Sequence, residues 1–296
     1  MSRYTFRRIG EGVTHRLARL LPDKLYLRLL FFFHMGTPLH LKHPRTFNEK
    51  LQWLKLYDRQ YRYTEMVDKI EAKKFVERTI GREHVIPTYR VWDSVEEVDI
   101  SDLPEQFVLK CNHSGGNSSV FLVKDKSKFD LAEAKKGLAR TMKGSIYRNF
   151  KEWPYKNVQP RILAERFLKA DIDDYKFFCF NGRPESVMAC YDRGSGDTKF
   201  YFFDRQWRLQ RYNVRGKNAP EGFTAPKPKN VDKMFEIAEK LSAGIPFVRV
   251  DLYNVDGEIY FGEMTFYPAS GLDQNILPEA DVMFGRSLEL PKKTVK

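Results

Sequence analysis

Only three cysteines occur in 296 residues, Cys111, Cys179 and Cys190, far apart in apolar, strand-like runs. They form neither a metal-ligand spacing nor a disulfide framework, which fits small core side chains in a reducing cytoplasm. Long apolar runs are missing as well. Spanning a bilayer takes about 18 apolar residues, and the nearest candidate, residues 25–36, is interrupted by Arg28. No apolar stretch with a small-residue cleavage site follows the basic start, so no secretory leader is expected. The six histidines show no metal spacing. Neither G-x-S-x-G nor a Cys-His arrangement supports a nucleophilic hydrolase, and no G-x-G-x-x-G supports dinucleotide binding. Helix-turn-helix, zinc-finger, KH and RNP patterns are absent and the basic residues are dispersed, so nucleic acid is not the expected partner. Repeats and low-complexity tracts are also missing.

What is present is an aromatic-rich, basic chain. Apolar residues make up 42% and aromatics 14%, a globular composition. The formal charge of +12, from 51 basic and 39 acidic residues, favours anionic partners such as nucleotides, acidic sugars or a membrane surface. Residues 1–34 interleave Arg3, Arg7, Arg8, Arg16, Arg19, Lys24 and Arg28 with Leu17, Leu20, Leu21, Leu29 and Leu30. Such a basic amphipathic helix either lies on an anionic bilayer or packs on the main body.

The N-terminal third reads as helical. Thr46 and Glu49 form a capping box ahead of Leu51, Trp53, Leu54 and Leu56. A second helix is expected from Thr64 to Ile80, stopped by Gly81. From about Val85 the texture changes to short strands: 107–111, 119–123 and 161–168, with a helix near Leu131 to Lys143 between the last two. Two hairpins turn at Asn181-Gly182 and Asp256-Gly257, dipeptides suited to tight turns with positive φ. A further strand pair brackets Asp204-Arg205, and an amphipathic helix spans 231–244. Paired strands with interspersed helices indicate an α+β protein built on antiparallel sheets.

In the last hairpin, alternation puts Arg249, Asp251 and Tyr253 on one face, and Glu263 and Thr265 share a face of the partner strand. Carboxylates on adjacent strands suit magnesium, which takes one or two of them and completes its shell with water and phosphate. They equally suit ion pairs with Arg249 or nearby lysines. A strict two-residue turn at Asp256-Gly257 sets Asp251 opposite Gly262. Convergence on Glu263 requires a three-residue loop or a bulge. Lys110 ends a strand leading into His113-Ser114-Gly115-Gly116, a stretch whose glycines let backbone N–H groups approach an anion or simply turn a hairpin. Glu165 closes an apolar strand, Lys176 sits within an aromatic one, and Arg193 follows the return strand. Cations converging from separate strands match a polyphosphate clamp.

In order along the chain, the segments at 47–59, 107–116, 174–184 and 247–271 resemble the ATP-grasp superfamily, and closely its TupA-like branch of polysaccharide and teichuronopeptide synthesis. The resemblance covers about residues 20 to 290. It implies an ATP-grasp fold, two α+β lobes with antiparallel sheets clasping ATP, with a helical region (1–84), a first lobe with the phosphate loop (85–160) and a second lobe with hinge and metal site (161–296). Lys110 and the loop from His113 through Gly116 would meet the phosphates. Glu165 with Arg166, Phe167 and Leu168 would receive adenine, and Asp171 or Asp173 the ribose. Lys176, Arg193 and Arg249 would serve the reacting phosphoryl group, and Asp251, Glu263 and Thr265 would hold Mg2+. Many relatives carry Glu-x-Asn at the last site, and here Thr265 offers a hydroxyl instead of an amide carbonyl. The implied reaction is ATP-dependent amide ligation through an acyl phosphate, joining an amine or amino acid to the carboxylate of a uronic-acid glycan or sugar precursor. The alternatives are a glycosyltransferase, for which Asp171-Ile172-Asp173 is a formal D-x-D, an ATP-grasp kinase, and a non-catalytic nucleotide-binding protein. The expected setting is the cytoplasm, with possible contact between residues 1–34 and the inner membrane face.

Overall fold

The fold was read from a computed structural model, which describes residues 20–114, 120–170, 172–192 and 197–294. Gly115, Gly116, Asp171, Arg193 and the basic residues up to Arg19 lie outside the described residues.

Four helices open the described chain: α1 (Asp23–Met35), α2 (Phe47–Tyr57), α3 (Tyr61–Val67) and α4 (Glu71–Ile80). The capping box forms, with the Thr46 hydroxyl accepting the Glu49 N–H and the Glu49 carboxylate accepting the Thr46 N–H, each at 3.2 Å. The single helix expected over 64–80 is instead two. Asp68 is extended at ψ 114°, and its carboxylate accepts the N–H groups of Ile70 (2.8 Å) and Glu71 (3.4 Å). An aspartate that bonds nearby backbone offers an alternative to the helical ladder. The break places Lys69 between the two helices.

β1 (Thr88–Trp92), β2 (Phe107–Cys111) and β3 (Val120–Val123) are followed by α5 (Leu131–Met142), α6 (Ile146–Phe150), a 3-10 turn at Trp153–Asn157, and β4 (Ile162–Arg166). They make an antiparallel sheet in the order β1-β4-β2-β3, with a core of Phe107, Leu109, Ile162 and Leu138. Strand β4, which the sequence division at residue 161 assigns to the second lobe, hydrogen-bonds between β1 and β2. The chain therefore leaves the first sheet after Arg166 and enters the second at Asp173.

The second sheet contains β5 (Asp173–Phe180), β6 (Arg183–Tyr191), β7 (Lys199–Phe203), β8 (Leu209–Gln210), β9 (Phe247–Val255) and β10 (Glu258–Thr265). Helices α7 (Val214–Lys217) and α8 (Val231–Ser242) precede β9, and α9 (Pro278–Ser287) follows β10. The strand order is β10-β9-β5-β6-β7-β8, antiparallel throughout. Both expected hairpin turns are present, with φ of 51° and 79° at Asn181-Gly182 and 55° and 99° at Asp256-Gly257.

Directly paired residues share a face of a sheet. One face, carrying Phe177, Val250 and Leu252, is covered by α8, whose Phe235 meets the Phe177 ring edge-on at 4.9 Å. On the other, Phe178, Phe180 and Phe247 pack against Phe47 of α2 and Phe284 of α9, with Phe47–Phe247 centroids at 4.7 Å. Burying each such ring stabilises the fold by about 1.5–3 kcal/mol. Farther along the same strands the aromatic residues give way to Asp174, Lys176, Arg249 and Asp251. The site lies on this charged stretch.

Candidate functional site

Register assembles the second-sheet half of the site. Glu263 pairs with Asp251, Asp251 with Lys176, and Thr265 with Arg249. The turn at Asp256-Gly257 is the strict two-residue kind, and convergence of the carboxylates comes from a bulge between Phe261 and Glu263. Its residue is Gly262, where an added Cβ would stand 3.1 Å from the Asp251 carbonyl and 3.2 Å from the Tyr253 ring. Glycine permits that close approach.

Asp251, only 2% exposed, is held by two cations. Arg249 donates Nε and Nη2 to its two oxygens at 2.7 Å each, and Lys176 Nζ donates at 2.6 Å. Lys176 also meets Asp174 at 2.7 Å. Burial pushes the Asp251 carboxyl upward against the pull of Arg249 and Lys176. Glu263 is held more loosely, 3.4 Å from Arg249 and 3.5 Å from Lys69, with its side chain 36% exposed. Desolvation acts to raise its carboxyl, but Lys69, Lys176 and Arg249 prevail and hold it at about 2. The Thr265 hydroxyl accepts from Arg249 at 3.1 Å and donates to Glu263 at 3.2 Å.

The first sheet supplies the facing wall. β2 pairs with β4 so that Lys110 and Glu165 meet, and Lys110 Nζ donates to Glu165 Oε1. Lys73 of α4 donates to the other oxygen at 2.8 Å and to the Ile86 carbonyl at 2.8 Å. Glu165 is 3% exposed; desolvation would raise its carboxyl, and the two lysines outweigh that and lower it. Lys69 donates to the Ser114 carbonyl at 2.6 Å. Arg166 donates to the Tyr260 hydroxyl at 2.8 Å, linking the end of β4 to β10.

A cavity of about 470 Å³ lies between the walls. Of the residues expected from sequence, Lys110, Ser114, Glu165, Arg166, Phe167, Leu168, Lys176, Arg249, Asp251 and Glu263 line it. His113 does not: it is buried, with Nε2 3.2 Å from the Thr141 carbonyl, and burial lowers its pKa. Asp173 does not either. It lies on the opposite face of β5, where its carboxylate accepts from the Tyr175 hydroxyl at 3.3 Å, and Asp174 lines the cavity in its place. Thr265 reaches the site through Arg249 and Glu263. The sequence reading missed Lys69, Lys73 and Asp174. Two-residue alternation from Lys176 points to Asp174, whereas Lys69 and Lys73 sit in a charged helical run that resembles solvated surface.

The residues present fit magnesium carried by a phosphate ligand. Asp251 and Glu263 supply two carboxylates, and among the described residues no cluster of three His, Cys, Asp or Glu side chains forms a protein cage. That donor set is what magnesium uses when phosphate oxygens and water complete its shell. No helix of the described residues is long and apolar enough to cross a membrane.

A family model described as "TupA-like ATPgrasp" matches residues 49–289. No curated protein matches the chain. Among solved structures, D-alanine-D-alanine ligase from Helicobacter pylori is similar at 14% identity and a TM-score of 0.49, covering 83% of this chain and 69% of its own. The corresponding ligase from Bacillus anthracis aligns at 15% identity and 0.44, covering 74% and 66%; its structure complexed with ATP aligns at 14% and 0.41, covering 75% and 61%. This chain thus spans less than two thirds of the Bacillus anthracis ligase in either structure.

Proposed function

The chain belongs to the TupA-like ATP-grasp family, and on that premise we propose that it is an ATP-dependent carboxylate–amine ligase. The observation that carries the proposal is the convergence on one cavity of Lys69 and Lys110 from one side and the row Glu263-Asp251-Lys176 with Arg249 from the other. ATP lies between the two lobes, its adenine end toward Arg166–Leu168 and its phosphates between Lys110 and Lys176. Asp251 and Glu263 would hold magnesium, which would neutralise phosphate charge when bound.

Lys176 and Arg249 orient the transferring phosphoryl group and stabilise the charge that spreads over its oxygens, an effect strongest in a site already arranged for it. An acceptor carboxylate oxygen attacks the γ-phosphorus, the bond to the bridging oxygen breaks, and ADP leaves with its electron pair. The resulting acyl phosphate stays beside Arg249 and Lys69. An amine nitrogen then attacks the acyl carbon, the C–O bond to phosphate breaks, and the amide forms as phosphate and a proton depart. The acceptor is the carboxylate of a uronic-acid glycan or its sugar precursor, and the amine is an amino acid, within polysaccharide synthesis on the cytoplasmic side of the membrane.

The test is a nucleotide-release assay across paired uronic acids and amino acids, with mass spectrometry of the product. A ligase releases ADP and phosphate only when both acceptors are present. ADP with a stable phosphorylated acid and no amine requirement would make the protein a kinase, and release of a sugar-linked nucleotide would make it a transferase.

A further inference from the structure

A second cavity, of about 610 Å³, lies on the same charged face of the six-stranded sheet but over β6 and β7. Register ties it to the nucleotide cavity. Lys176 pairs with Met188, which pairs with Phe202; Asp174 pairs with Cys190, which pairs with Phe200. Two cross-strand rows thus run from one cavity to the other, and Met188, Phe200 and Phe202 line the second. Adjacent strands are about 4.8 Å apart, so Phe200 lies roughly 10 Å from the strand that carries Lys176.

A single segment runs from the β10 edge of the sheet to a point beside β7. It leaves β10 after Thr265, and its Ser270 and Gly271 carbonyls accept from Gln52 Nε2 at 2.9 and 2.7 Å. The Ser270 carbonyl also accepts from the buried Lys55 ammonium at 2.7 Å, and the Asp273 N–H bonds Asn48 at 2.9 Å. Its far end bridges Ile276 to Asn213, beside β7. Asn48, Gln52 and Lys55 form one stripe of α2, so the residues that pin this segment belong to the N-terminal helical region. Residues close to Glu263 and residues of the second cavity therefore share one rigid support.

The lining of the second cavity has a mixed chemistry. Phe200 and Val214 are 36% and 50% exposed there, two of the few large apolar side chains the described fold leaves in water. Around them stand Asn218, Asn275, Asp273 and Arg215. An aromatic surface ringed by planar amides and a carboxylate matches a pyranose. The C–H side of such a ring covers apolar surface, and its hydroxyls both donate to and accept from amide groups.

We propose that this cavity seats a pyranose ring of the acceptor glycan, and that the reacting carboxylate is carried by a neighbouring sugar of the same glycan, which extends over Met188 toward Lys176 and Arg249. The proposal rests on the ligase reading and gives its acceptor a place and a chemical class: a ring with hydroxyls to recognise, rather than a bare carboxylic acid.

The test uses the full chain and three probes: methyl β-D-glucopyranosiduronate, methyl β-D-glucopyranoside and succinate. Saturation-transfer NMR should show both glycosides binding the wild-type protein, and succinate not competing. Phe200→Ala and, separately, the exposed-site variant Asn218→Ala should each weaken the uronate at least tenfold. Mg-ATP affinity by calorimetry should stay within twofold. Equal uronate binding by wild type and both variants would overturn the proposal, as would a preference for succinate or no glycoside binding at millimolar concentration. Sugar binding that survives while the wild-type protein fails to take up Mg-ATP would support this cavity and count against the ligase reading alone.

Discussion

Both walls of the cavity between the two sheets contain a buried carboxylate gripped by two cations, yet the two arrangements differ in what they leave over. In the first sheet, Glu165 is shared by Lys73 and Lys110, one acid for two bases. In the second, Lys176 and Arg249 are matched by Asp251 and Asp174, and Glu263 brings further negative charge at longer range. The first wall carries surplus positive charge and suits an anion. The second carries one acid more than its two bases, and its least enclosed member is a carboxylate with room for an incoming cation. On the proposed function, metal-borne phosphate would satisfy both walls at once, because its two charges would meet the two kinds of imbalance.

The largest expected effect comes from breaking the second wall. Asp251→Asn combined with Glu263→Gln should lower turnover at least about 1000-fold, since removing a group that stabilises developing charge costs factors of this order. Near-normal ADP release by that variant would remove the metal assignment. The single variants should separate two roles. Asp251→Ala leaves Arg249 without its buried carboxylate and Lys176 with Asp174 alone, and should lower stability by about 3 kcal/mol in urea unfolding. Glu263→Ala, more exposed, should cost less stability than Asp251→Ala while still losing turnover.

Next in size is the first wall. Lys110→Met should weaken Mg-ATP binding by about 10- to 100-fold, the range of a lost charge-assisted contact to phosphate. Lys73→Met should weaken it less, because Lys73 is also committed to the Ile86 carbonyl and the Thr88 hydroxyl. Equal losses in calorimetry would dissolve the distinction between an anion-holding lysine and a supporting one.

A smaller effect is expected from pH. Glu263 is held at about 2 and Glu165 is also lowered, against an unfolded value of about 4.3. A depressed carboxylate contributes stability that is fully present above the unfolded value and is lost as pH falls through the folded one. Stability should therefore decline from about pH 5 toward pH 2, and Glu263→Gln should shallow that decline; identical slopes would argue that Glu263 is not held this way. The smallest change is Gly262→Ala, whose Cβ meets the Asp251 carbonyl at 3.1 Å. Neighbours need give by only a few tenths of an ångström, so turnover should fall about tenfold or less, below the roughly 100-fold of a displacement of about an ångström, and Mg-ATP binding should stay nearly unchanged.

Much of the second wall is legible from one-dimensional pattern. Alternation alone sets Arg249 with Asp251 and Glu263 with Thr265, and the Asn-Gly and Asp-Gly turns fix the hairpins, but those two faces meet only through the bulge between Phe261 and Glu263. Asp174 was within reach of the same rule. The first wall was far less legible. Lys69 and Lys73 matter because Asp68 interrupts a helix whose apolar spacing reads as continuous, and because α4 happens to pack beside β4. The packing has no local signature, and the break has only the aspartate itself, which bonds the N–H groups of Ile70 and Glu71. His113 illustrates the reverse: a suggestive loop position turned out to be a buried contact with α5.

For this protein, sequence by itself determined the α+β class, the antiparallel hairpins, the capped helix at Thr46 and which side chains share a strand face, because these depend on backbone geometry within a few residues. Tertiary structure decided the rest. The bulge at Gly262 set Glu263 opposite Asp251, β4 joined the first sheet rather than the second, and Glu165 received two lysines from separate elements. Such outcomes depend on how distant segments satisfy one another's charge and hydrogen bonds once water is excluded, and no local spacing encodes that.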